Sequence, residues 1–250
     1  MSTFIEGRNA VFEALRSGMP LECIYVVAGT LDGARPGDAL ADIAALASSA
    51  GVPLKEVHRQ WLDERSERGV HQGVLASAAP FRFTPLPTLL AGAADKRESL
   101  IVALDHITDA GNFGAIARSA EVAGAEGIII TKRRAAPIGA GAFKASAGAL
   151  AWLPVVQEPN LVRALEACKA AFFWVVGASE HAKTDLWGQP LEGRVVLVLG
   201  AEDTGLSRLT LEACDFTASI PVSGRVGSLN VAQAATVFMY EWVRRRSDQR

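Results

Sequence analysis

Four short runs from residue 100 onward, residues 100–104, 127–131, 172–176 and 195–199, are apolar at nearly every position. A fifth, 216–220, is shorter of apolar residues but reads as a last strand. A strand that is apolar on both faces has no side to give to water, so it belongs in a parallel sheet covered by helices on both sides. The intervening sequence is helical or turn-rich, with helices expected over 114–123 and 229–246. The class is therefore α/β.

The first eighty residues read as a smaller alternating unit. A helix over 9–17 is closed by Gly18, the strand 23–27 follows, an alanine-rich helix covers 38–50 up to Gly51, and 52–57 is a second strand. A helix over 60–67 and a turn from Val70 into a third strand ending at Ala76 complete it. Pro80, Pro85 and Pro87, followed by Asp95-Lys96-Arg97-Glu98, mark a change of composition typical of a linker with room for one short helix. The expected division is 1–79, a linker 80–98, and 99–250.

With 250 residues, half of them apolar, the chain can bury a substantial core and is not disordered. The first residues carry no apolar signal core, and nothing approaches the roughly 18 uninterrupted apolar residues that span a bilayer, so the expectation is a cytoplasmic protein. Cys23, Cys168 and Cys214 are odd in number and far apart, which reads as buried thiols. His58, His71, His106 and His181 lack the spacing of a zinc site, and no metal is implied. The net charge of −2 argues mildly against a nucleic-acid partner. Lys132-Arg133-Arg134 and Arg244-Arg245-Arg246 can each be a basic patch, or a solvated loop and a positively charged helix end.

The common nucleotide motifs are missing. The nearest approach to a Gly-x-Gly-x-x-Gly fingerprint, Gly139-Ala140-Gly141-Ala142-Phe143-Lys144, is separated from its strand by residues 132–137. There is no phosphate loop, no nucleophile elbow and no His-Glu-x-x-His helix, so kinase, lipase-like and zinc-protease chemistries lose support.

Three other stretches carry polar residues just where apolar runs end. In Asn112-Phe113-Gly114-Ala115-Ile116-Ala117-Arg118, Asn112 is expected in a turn and Arg118 in the following helix. A guanidinium among Ala and Ile needs a partner, either an RNA phosphodiester or a carboxylate such as Glu121. In Gly200-Ala201-Glu202-Asp203-Thr204-Gly205, Gly200 allows close backbone approach and Glu202 puts a carboxylate in the same turn. In Gly227-Ser228-Leu229-Asn230-Val231-Ala232, Ser228 and Asn230 precede a helix, where capping alone would account for them.

Taken together and in this order, with Ile220-Pro221 before the third, the stretches resemble the signature motifs of the SPOUT superfamily, specifically its TrmH/RlmB-type RNA ribose 2'-O-methyltransferases. The resemblance covers 100–246, while Gly7-Arg8-Asn9-Ala10-Val11 and His71-Gln72-Gly73-Val74 resemble the small ribosomal-protein-like α/β domain that binds substrate in RlmB-type enzymes. Ala110 stands where many relatives have proline, which is expected to loosen the turn. The resemblance implies a parallel-sheet domain with a trefoil knot, an element that sequence physics would not propose. It implies S-adenosylmethionine as cofactor, with Gly200, Ile220 and Leu229 lining the adenosine site. Asn112, Arg118, Glu202, Ser228 and Asn230 would surround the methyl group and the ribose. It also implies RNA as partner, a guanosine of large-subunit (23S) rRNA being favoured by the N-terminal domain, and a homodimer formed through the C-terminal helix. The alternatives are a tRNA 2'-O-methyltransferase and a non-catalytic rRNA-binding or ribosome-assembly protein of the same fold.

Overall fold

A computed structural model of the chain describes residues 3–248 apart from 33, 34, 36, 67, 68, 70, 189, 190 and 226. The first segment runs β1 (Thr3–Glu6), α1 (Arg8–Arg16), β2 (Leu21–Val27), α2 (Ala39–Ser49), β3 (Leu54–Val57), α3 (Arg59–Asp63) and β4 (Val74–Ala78). It continues with α4 (Leu86–Gly92), β5 (Ser99–Asp105), α5 (Ala110–Val122), β6 (Gly127–Thr131), α6 (Ala140–Ala145) and β7 (Val155–Glu158). The last part is α7 (Leu161–Ala170), β8 (Trp174–Ala178), β9 (Arg194–Gly200), α8 (Arg208–Ala213), β10 (Phe216–Ala218) and α9 (Val231–Asp248). No helix among the described residues is long and apolar enough to cross a membrane.

The chain forms two compact units. The first joins Met1–Arg82 to Ile138–Ala151. Its four-stranded sheet has the order β1-β4-β2-β3, with β4 antiparallel to both neighbours and β2 parallel to β3. Within this unit α6 packs on α1, and Phe81 meets Phe143 edge to face with ring centroids 6.2 Å apart. Strand β1 was not expected: four residues at the start of a chain show too little alternation to register as a strand. The helix expected to Glu67 ends at Asp63, and Glu67 and Val70 themselves lie outside the described residues.

The second unit, Phe83–Pro137 with Trp152–Arg250, holds a six-stranded sheet in the order β10-β8-β9-β5-β6-β7. Every pairing in it is parallel, as the doubly apolar runs require. Side chains alternate across it. Ile101, Ala103, Val196 and Val198 point into one buried cluster with Leu86 and Leu89 of α4 and Leu161, Leu165 and Cys168 of α7. The 80–98 segment thus contributes to this core as well as connecting. Leu100, Val102 and Leu104 face the other way, on the side covered by α5 and α9, whose Phe113, Ile116, Phe238 and Trp242 are fully or almost fully buried. Three expectations shift: β7 is an additional short strand, the strand expected to begin at Phe172 begins at Trp174, and the final helix begins at Val231. Phe172 has a left-handed backbone, φ 64°, in the turn before β8, which no strand residue can adopt.

The order of strands positions the site. From β5 the chain moves outward through β6 and β7, crosses to β8, and returns to lay β9 against the free side of β5. The β5–β9 boundary is where successive connections diverge, and loops at the carboxyl ends of strands leave a crevice at such a point. Asp105 and Gly200, the last residues of β5 and β9, are direct partners in register. Whatever follows each strand is therefore brought together.

Candidate active site

Helix α5 begins at Ala110, so Asn112 lies in its first turn and not in the preceding loop. Asp109 is the N-cap, and its carboxylate accepts the backbone N–H of Asn112 at 2.7 Å. Ala110 is then the first helical residue, a position proline suits equally, so its presence loosens nothing. The cap holds the Asn112 side chain toward the turn after β9. There Gly200 is obligatory: a Cβ on it would lie 2.1–2.3 Å from backbone atoms of Gly205 and Leu206. The turn closes by reciprocal hydrogen bonds between Ala201 and Gly205, the latter at φ 64°, and lifts Glu202 from its crest.

Asn112, Glu202 and Asn230 form one hydrogen-bonded cluster. Asn112 Nδ2 donates to Glu202 Oε1 at 3.0 Å, and Asn230 Nδ2 donates to the same oxygen at 2.6 Å and to Asn112 Oδ1 at 2.9 Å. A carboxylate only accepts, so both amides must turn their NH₂ groups to it. Asn230 also caps α9, its Oδ1 accepting the Ala232 N–H at 2.9 Å. Capping and the cluster use opposite ends of one amide. Glu202 Oε2 has no partner among the described residues.

The remaining expected residues sit elsewhere. Arg118 is exposed on α5 beyond the capped turn, and its guanidinium pairs neither with Glu121 nor with any other described residue. Ser228 is exposed on the loop before α9 and caps nothing among the described residues. Gly200 is buried, Ile220 is half-buried after β10, and Leu229 is 44% exposed. From Ile220 to Leu229 no described backbone amide donates to another part of the chain, and Gly224 and Gly227 have open space where a side chain would start. A purine nucleoside needs apolar cover for its ring and main-chain groups for its edge, and this loop offers both.

A cleft of about 610 Å³ opens beside the cluster, lined by Asn112, Glu202 and Val231 together with residues the sequence did not single out. Asp105, 1% exposed, accepts the Ser207 N–H through Oδ2 at 2.7 Å and so ties the two strand ends together. Its Oδ1 lies 2.7 Å from Nδ1 of His106, which stands at φ 64° on the cleft wall. Arg134, at φ 53°, also lines the cleft, from the loop after β6. The basic run 132–134 was visible in the sequence, but its direction depends on this left-handed turn. Among the described residues no group of His, Cys, Asp and Glu is arranged to hold a metal ion.

Comparison with known proteins identifies the relatives of this chain. Residues 99–240 match the SpoU rRNA methylase family, and residues 4–84 match the substrate-binding domain of RNA 2'-O ribose methyltransferases. The YacO protein of Bacillus subtilis, assigned to the TrmH family of tRNA/rRNA methyltransferases, is 36% identical over 98% of this chain and 96% of its own length. The SpoU methyltransferase AviRb of Streptomyces viridochromogenes, solved in complex with S-adenosylmethionine, superposes with a TM-score of 0.72 at 27% identity, covering 98% of this chain and 90% of AviRb. An S-adenosylmethionine-bound rRNA methyltransferase of Sinorhizobium meliloti gives 0.69 at 27% identity, covering 98% and 87%.

Proposed function

Since the chain belongs to the S-adenosylmethionine-dependent SpoU/TrmH family of tRNA/rRNA methyltransferases, we propose that it methylates a ribose 2'-hydroxyl of structured RNA, a guanosine of large-subunit (23S) rRNA. The observation that carries this reading is the Asn112–Glu202–Asn230 cluster, which joins one residue of each of three separate motifs at the β5–β9 crevice. The rRNA assignment is supported by the substrate-binding match over 4–84 and by the likeness to an rRNA methyltransferase over nearly the whole chain.

Bound S-adenosylmethionine supplies a sulfonium-activated methyl group. Gly200, Ile220 and Leu229 hold its adenosine, largely through the open backbone of the 220–229 loop. The protein's remaining task is to align the ribose oxygen and take its proton. Glu202 Oε2 and the amides of Asn112 and Asn230 orient the ribose hydroxyls, with Ser228 at the rim. Arg134 and Arg118 meet RNA phosphates. Arginine gives up its own proton only above about pH 12, so Arg118 polarises and positions without serving as the base.

The working form is a homodimer joined through α9. Helices α5 and α9 pack together, and Arg118 and Val122 (62% exposed) of α5 and Tyr240 (47% exposed) of α9 are left exposed for a partner subunit. The 1–79 segment binds RNA, 99–250 carries catalysis and the trefoil knot, and the protein works in the cytoplasm. The test is transfer of labelled methyl from S-adenosylmethionine to unmodified rRNA and tRNA, followed by nucleoside analysis. 2'-O-methylguanosine in 23S rRNA is the expected product; label in tRNA alone would move the protein to the tRNA branch, and cofactor-free RNA binding would make it a non-catalytic assembly factor.

A further inference from the structure

Two pieces of sequence play no part in the cleft: Gly7-Arg8-Asn9 after β1 and His71-Gln72-Gly73 before β4. The antiparallel pairing of β1 with β4 brings them together at one end of the four-stranded sheet, where the Gly7 N–H donates to the Val74 carbonyl at 3.2 Å. Arg8 reaches across this junction. Its Nε donates to the Gln72 carbonyl at 3.2 Å, and its backbone N–H donates to Gln72 Oε1 at 3.3 Å. The guanidinium is half-buried yet pairs with no carboxylate among the described residues. With Nε engaged, Nη1 and Nη2 remain as a planar pair of donors, and the exposed Gln72 amide, its oxygen turned to Arg8, adds its NH₂ group. None of these donors has a partner among the described residues.

A buried ring holds this turn. Gln72 stands at φ 49° and Gly73 at φ 80°, and a left-handed backbone is uncommon for glutamine. His71, 4% exposed, accepts the Gly73 N–H at Nδ1 over 3.0 Å, while its Nε2 lies 2.8 Å from Oδ1 of Asp63 at the end of α3. The two neighbours demand opposite roles: an N–H needs a lone pair, and a carboxylate needs a proton. The neutral ring therefore carries its proton on Nε2. A ring fixed at both nitrogens keeps the Gln72 carbonyl in place, and through it the Arg8 guanidinium.

We propose, resting on the RNA methyltransferase reading above, that Arg8 and Gln72 bind a phosphodiester of the substrate RNA and that His71 is their positioning residue. A planar fork of donors suits phosphate and carboxylate alike, and the match of residues 4–84 to a substrate-binding domain of RNA methyltransferases favours the RNA. The site binds and takes no part in the methyl transfer, since neither residue lines the cleft. In the full-length enzyme, R8A should raise the KM for unmodified rRNA about tenfold, the scale of one lost charge-assisted contact, with the loss falling on KM and not on kcat. The slope of log affinity against log salt should fall by about one. R8K keeps the charge without the fork, so it should restore the slope but not the KM.

His71 is tested by H71F, which fills the space of the ring without its nitrogens, and by the R8A/H71F double variant. Because His71 acts through Arg8, the double variant should lose well short of the product of the two single losses in RNA affinity, whereas a residue that only held the fold would add its own loss in full. D63N, altering a side chain 56% exposed, runs the same cycle if H71F folds poorly. Nitrogen NMR of ¹⁵N-histidine-labelled wild type, with His71 assigned by its absence in H71F, should find the proton on Nε2. R8A with wild-type KM and slope would overturn the proposal and leave the fork to a carboxylate of another protein. Fully multiplicative losses, or a proton on Nδ1, would overturn the role of His71. Each of these leaves the methyltransferase reading intact; a wild type that binds rRNA through Arg8 yet methylates no RNA would overturn that reading and keep the site.

Discussion

Arg134 stands in the cleft with a left-handed backbone and no side-chain partner among the described residues. A cation without a side-chain partner beside this crevice is suited to one phosphate of the proposed RNA substrate. Replacing it with alanine is expected to weaken RNA binding regardless of sequence and to reduce the slope of log affinity against log salt by about one, with kcat at saturating RNA unchanged. Titrations at several salt concentrations check this, and an unaltered slope would take Arg134 out of the RNA path. The residues legible in the sequence were those carried by motif spacing, namely Asn112, Glu202 and Asn230. Asp105 and His106 were not legible as site residues, and Arg134 only as part of a basic run, because each placement depends on a long-range pairing or on a positive φ that neighbouring residues do not encode. Arg118 shows the opposite: the sequence marked it, and it has no partner among the described residues.

At the level of elements, the site depends on how α5 starts. Asp109 both caps the helix and sets the direction of Asn112. The Asp109→Ala variant should lose about 1 kcal/mol of stability, the usual cost of a missing N-cap, and a larger share of its activity than that loss alone explains. Melting temperature measured beside kcat separates the two; activity that fell only in step with stability would mean the cap does not position Asn112. The long apolar strands and the amphipathic helices could be read directly, because period and length agree. The short strands β1 and β7 could not, since each is four residues long and gains its identity only from the neighbour it pairs with. The start of α5 was misplaced for a related reason: Asp109-Ala110-Gly111-Asn112 reads as a turn until the cap is seen.

For the whole molecule, α9 fastens the end of the chain to the second unit. Glu241, 4% exposed, accepts from Arg244 at 2.9 Å and Arg245 at 2.7 Å, and Arg245 also donates to the carbonyl of Trp187. The Arg244 hydrogen bond, joined by that of Arg245 and opposed by burial, lowers the Glu241 pKa below its ordinary value. A carboxylate with a depressed folded-state pKa stabilises fully above its unfolded value, about 4.3 for glutamate, and that contribution fades as pH falls through the folded value. Glu241→Gln should therefore melt below the wild type at pH 7, with the gap closing in acid; a gap that stayed constant with pH would show that shape and not charge holds α9. The strand order of the large sheet was beyond the sequence, since nothing local says that β9 returns to β5, yet that return creates the crevice. A different consequence follows from the first unit being built of two stretches of chain, Met1–Arg82 and Ile138–Ala151. Gly148 sits so close to Ser17 that a Cβ there would lie 2.9 Å from the Ser17 carbonyl oxygen, so the later stretch is part of the earlier one's packing. During synthesis the first unit must wait for residue 151 before it can close, by which time β5, α5 and β6 have already left the ribosome's decoding centre. A cut after Arg82 would therefore release a fragment lacking part of its own unit's interior.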